Sequence, residues 1–79
     1  MEYILAFGSP HRALRAEGVL KGAGISFRLL PAPKALAEFC DLVISVKEGS
    51  LDKAKDALKD AGVTVTMVFK KEEEKYVEV

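Results

Sequence analysis

Apolar residues fall along this chain in short blocks separated by polar turns. Residues 3–7 (YILAF) form the first block and read as a strand. Gly8-Ser9-Pro10 follows as a turn. Ser9 suits a helix N-cap, since its hydroxyl can accept from an otherwise unpaired N–H, and Pro10 suits the first helical position. Ala13, Ala16, Val19, Leu20 and Ala23 then recur at helical spacing, and Gly24 supplies the stop, which predicts a helix over 10–23. Residues 25–30 predict a second strand, ended by Pro31-Ala32-Pro33. Residues 34–40 read as a loop with room for one helical turn. Residues 41–47 (DLVISVK) predict a third strand. Ser50 then caps a second helix over 50–61, with Leu51, Ala54, Ala57, Leu58 and Ala61 as its apolar stripe and Gly62 as its end. Residues 63–69 predict a fourth strand.

The two halves repeat at an offset of 38 residues, so that Leu20-Lys21-x-Ala23-Gly24-Ile25 falls on Leu58-Lys59-x-Ala61-Gly62-Val63. Two βαβ copies imply an α+β domain of the ferredoxin-like split βαβ type, β-α-β-β-α-β. Its four-stranded antiparallel sheet would carry both helices on one face, in the order 4-1-3-2 with strands one and three parallel. The repeat sends Ile4 and Ala6 toward the helices together with Leu42, Ile44 and Val46. It leaves Tyr3, Leu5, Phe7, Val43, Ser45, Thr64, Thr66 and Val68 on an open, largely apolar face, and such a patch marks an interface. A homodimer follows as an expectation, sheet against sheet or edge to edge. Residues 1–69 make the domain, and the charged run 70–79 (KKEEEKYVEV) a tail that could add an edge strand.

Composition narrows the function classes. The 79 residues hold 12 Lys plus Arg against 12 Asp plus Glu, so the charge balance lacks the basic surplus that a general nucleic-acid binder or a polybasic membrane anchor needs. No apolar run approaches a membrane span, and Met1-Glu2-Tyr3 does not open a signal peptide, so a cytoplasmic location is expected. One Cys and one His provide neither a disulfide nor a zinc-ligand set, and no cofactor is implied. Tyr3 and Phe7 have the look of RNA-stacking aromatics, but the third strand has no aromatic to match them.

Cys40 is the one candidate for chemistry. It stands in the loop before the third strand, with Lys34 and Arg28 as the cations that could favour its thiolate and Asp41 opposing them. A small buried hydrophobe is the bland alternative. His11, in the first helical turn, would lie at the far end of the sheet if strands one and three were parallel, roughly 15 Å from Cys40. That arrangement would exclude a Cys–His pair. The scattered acids form no pair placed for acid–base work, so no enzyme constellation is visible.

The run Ala13-Leu14-x-Ala16-Glu17-x-x-Leu20-Lys21-x-x-Gly24-Ile25, the segment Leu30-Pro31-Ala32-Pro33-Lys34 and the Cys that follows at position 40 resemble the family named "putative Se/S carrier protein-like". The resemblance covers about residues 3–69. It implies a cysteine that carries sulfur or selenium as a persulfide or selenopersulfide, here Cys40, with Lys34 at the position of a family basic residue. It also implies donor and acceptor proteins as partners. Asp41 stands where the family usually shows Gly, and residues 35–39 are mostly apolar where it is Ser-rich. The competing expectation is a small interaction module that associates through the open sheet face, with Cys40 incidental.

Overall fold

The computed structural model describes residues 1–38 and 41–79. Its first half runs β1 (Glu2–Ala6), α1 (Pro10–Gly22) and β2 (Arg28–Pro31); its second runs β3 (Leu42–Lys47), α2 (Leu51–Asp60), β4 (Met67–Glu72) and β5 (Lys75–Glu78). The expected caps are present in α1. The Arg12 N–H donates to the Ser9 hydroxyl at 3.2 Å, and Pro10 occupies the first turn. Gly24 and Gly62 take positive φ (71° and 75°) just past the two helices, the backbone region that a side chain would strain. Ser50 makes no side-chain cap, because a short 3₁₀ turn, Glu48–Ser50, leads directly into α2.

Among the described residues the result is an α+β domain with two α-helices and one antiparallel sheet, of five strands rather than four. The order is β2-β3-β1-β4-β5. The fifth strand comes from the charged tail, where Phe69–Glu72 pairs antiparallel with Lys75–Glu78 across a turn at Glu73. Val63–Thr66 lies outside β4, because the ladder with β1 begins only at Ala6 opposite Met67. β1 and β3 run antiparallel, with Leu5 opposite Ile44, and not parallel as expected. Each βαβ crossover skips one strand. β1 and β2 therefore share a direction, and β3 between them opposes both.

The strand-one register is also reversed from the expectation. Leu5 and Phe7 are buried with Ala13, Ala16, Leu20, Ile44, Val46, Ala54 and Leu58 in the core beneath the helices, and Tyr3 and Val68 pack against the same cluster. Ile4 and Ala6 lie on the opposite face. Directly opposed residues of an antiparallel pair share a face, so Leu5 must follow Ile44. On β3 the expected alternation holds, with Ile44 and Val46 under the helices and Val43 on the other side.

The second face is not bare. Ile4, Ala6, Val43 and Phe69 form a buried cluster there, closed by Leu36 from the β2–β3 connection. Leu30, Ala32, Met67 and Tyr76 pack around it. The apolar patch expected to drive sheet-to-sheet dimerisation is therefore largely the main core, and its remaining member, Val43, is fully buried under Leu36 and its neighbours.

Candidate functional site

The connection from β2 to β3 is built by three local causes. Pro31 ends an edge strand, where its missing donor costs no ladder bond on the solvent side. Lys34–Leu36 then forms a 3₁₀ turn, in which the Leu36 N–H donates to the Pro33 carbonyl at 2.8 Å. Leu36 is 3% exposed and anchors the turn on the second sheet face, while Lys34, Ala35, Ala37 and Glu38 are exposed. The base of the connection is held by the Ala32 N–H donating to the Asp41 carbonyl at 2.9 Å, which continues the β2–β3 ladder beyond Pro31 opposite Leu42. Cys40 itself lies outside the described residues; its chain neighbour Asp41 is exposed.

Antiparallel strands change which groups share this end of the sheet. The start of β3 lies beside the end of β1, with Val43 opposite Ala6. The chain leaves Ala6 for Ser9 and the first turn of α1. Asp41 and the start of α1, with exposed His11 and Arg12, therefore stand at the same end of the domain. The expectation that His11 lies a strand length from Cys40 rested on parallel strands, whereas β1 and β3 are antiparallel; Cys40 itself lies outside the described residues. Arg12 folds back over the β1–α1 turn. A Cβ on Gly8 would stand 3.6 Å from its Nη1 and 3.7 Å from Thr66 Oγ1. The dipole of α1 adds positive potential at the same end.

The two cations named from sequence separate. Lys34 is in the exposed 3₁₀ turn of the connection. Arg28 pairs with Ser45, three residues down β2 from Pro31, or about 10 Å along the strand. There it borders a polar group on the second face. The Ser45 hydroxyl donates a short hydrogen bond to one Glu2 carboxylate oxygen, and Lys71 Nζ lies 3.6 Å from the other. The Ser45 bond, with the charges of Lys71 and Arg28, holds the Glu2 carboxyl below its ordinary value of 4.5 against a smaller opposing effect of burial. Sequence reasoning did not find this group. Nor did it find Leu36, whose neighbours in the chain carry no periodicity that marks it as buried.

Among the described residues no cluster of His, Cys, Asp and Glu could hold a metal ion. No described helix is long and apolar enough to cross a membrane.

Residues 2–70 match the family described as "Putative Se/S carrier protein-like", and the chain belongs to that family. The match ends within β4 and leaves β5 outside it. No curated protein and no solved structure matches the chain.

Proposed function

We propose that this protein is a non-catalytic carrier of sulfur or selenium that uses Cys40 as the carrying residue, on a ferredoxin-like βαββαβ unit extended by β5. The observation that carries the reading is membership of the family over residues 2–70, which include the one cysteine of the chain. Two structural facts support it. The segment that holds Cys40 is tied at its base by the Ala32–Asp41 hydrogen bond and on the sheet by Leu36. The end of the domain where β3 begins also holds Arg12, His11 and the N-terminus of α1, whose positive potential favours a thiolate over a thiol.

The transfer needs one nucleophile and two docking events. The Cys40 thiolate attacks the outer sulfur of a donor persulfide. The donor's S–S bond breaks, the donor leaves as a thiolate, and a new S–S bond forms on Cys40. An acceptor thiolate or other nucleophile then takes the outer sulfur and returns Cys40 to its thiolate. Neither step has a net change in redox state, so no cofactor is called for. Selenium would follow the same course.

The test is incubation with a cysteine desulfurase and cysteine, read by intact mass. One added sulfur on the wild type and none on Cys40→Ser supports the carrier. No added sulfur on the wild type, with Cys40 also inert to a thiol reagent until the protein unfolds, ends this reading and leaves the interaction module in its place.

A further inference from the structure

We infer that the groove between the outer stripe of α2 and the segment Gly62–Val65, which leads toward β4, is a docking site for an extended acidic peptide of a partner protein. The groove encloses about 360 Å³ and is lined by Lys55, Lys59, Gly62, Val63, Thr64 and Val65. It is the larger of the two clefts described on this molecule, and it is independent of Cys40 and of the carrier reading.

Three observations on different parts of the groove agree on the occupant. The first is backbone. Residues 63–66 run toward β4 without belonging to a strand, and β5 ends its pairing farther along, where the Val79 N–H donates to the Val68 carbonyl. Val63 and Thr66 have acceptors, Leu58 and Ala6. No hydrogen bond engages the N–H of Thr64 or Val65 among the described residues. The Thr66 N–H is taken by Ala6 of β1, and successive N–H groups alternate between the two sides of a chain entering a strand, so the Val65 N–H faces away from β1, where an extended peptide can take it up in a main-chain hydrogen bond. The second is charge. Lys55 and Lys59 are one helical turn apart on the wall of the groove, both exposed, and neither has an ion pair among the described residues. The acids of the same helix, Asp52, Asp56 and Asp60, do not line the groove. The third is the floor, where half-buried Val65 and buried Val63 offer apolar contact to alternate side chains of a strand. An extended segment with carboxylates at alternate positions satisfies all three.

The two lysines sit on a solvent-facing stripe, so their contribution is modest and screened by salt. The probe is a capped hexapeptide alternating Glu with Thr, titrated into the ¹⁵N-labelled full chain. Its Gln-for-Glu analogue and a single-stranded oligonucleotide serve as comparisons. Amide shifts should concentrate at residues 62–66 and along the Lys55–Lys59 stripe. Binding should weaken about three- to tenfold in Lys55→Gln/Lys59→Gln and in the Gln peptide, and should fall with added salt. Both substitutions are at exposed positions, so the variant keeps its fold. Shifts absent from residues 62–66 would overturn the inference. So would equal binding of the Glu and Gln peptides, or an oligonucleotide that competes at the same lysines with higher affinity.

Discussion

Ser45→Ala tests the second sheet face and its electrostatics together. Ser45 is 3% exposed, and its hydroxyl donates to the Glu2 carboxylate across the β1–β3 ladder, two residues along β1 from its own partner Ile4 and on the same face. A hydrogen bond to a charged group contributes about 1.5–3 kcal/mol when buried. Glu2 keeps 30% of its side chain in solvent, so water replaces part of what the serine supplied. Loss of about 1 kcal/mol at pH 7 is expected. The carboxyl of Glu2 is held below 4.5 chiefly by this bond. A depressed carboxyl stabilises the fold fully above its unfolded value and loses that contribution as pH falls through its folded value. The wild type should therefore lose stability below about pH 4.5 more steeply than Ser45→Ala. The gap between them should narrow as pH falls below 4.5 and level off once Glu2 is protonated in the folded state, where a neutral hydrogen bond is all that remains. Urea unfolding by circular dichroism at a series of pH values measures both curves. A gap that stays constant from pH 7 to pH 2.5, or widens on acidification, would refute the coupling of Ser45 to an ionised Glu2.

The remaining expectations concern packing and association. Leu36→Ala should cost about 2 kcal/mol, the low end for a buried leucine since a surface turn can collapse into the space, and should speed amide exchange at Ala32 ahead of the rest of the sheet; exchange unchanged at Ala32 would show that Leu36 does not anchor the connection. Leu5→Lys should unfold the protein, because Leu5 is fully buried beneath both helices, whereas a folded variant by circular dichroism would put Leu5 on the other face. Of the dimers considered from sequence, edge-to-edge pairing through β5 is the one compatible with the buried residues, since Val77 on that strand is 44% exposed. A dimer seen by sedimentation at high micromolar concentration and lost in Val77→Lys would support it, and one that persists in Val77→Lys would refute it. Lys71→Met should cost no more than about 0.5 kcal/mol, and less in high salt, because Lys71 is 42% exposed and its pair with Glu2 is screened; a loss that grows with salt would contradict this account.

The sequence by itself determined both helices, the Ser9 cap of α1, the glycine stop of each helix, the existence of four of the five strands, and the family. These follow from short-range causes. A serine hydroxyl before Pro10, glycines free to take positive φ, and an apolar stripe every three or four residues act within one turn of chain. The end of β2 and the helical turn after it were legible for the same reason, since a Pro-x-Pro stop is a local signal. Tertiary structure decided the direction of β3 relative to β1, the faces of β1 and the covering of the second face. In the helices the repeat holds at 38 residues, Ala16 corresponding to Ala54 and Leu20 to Leu58. In the central strands it is 39, Leu5 corresponding to Ile44 and Phe7 to Val46. The second half is thus one residue shorter between strand and helix, and the 3₁₀ turn Glu48–Ser50 absorbs the difference. A strand has a side-chain period of two, so this one-residue step moves every side chain of β1 to the other face. Because both faces of β1 are apolar, its local pattern could not reveal the step. Leu36 and β5 show the same limit. A single leucine in a polar turn and a four-residue alternation after a charge run acquire structure only from the sheet they meet.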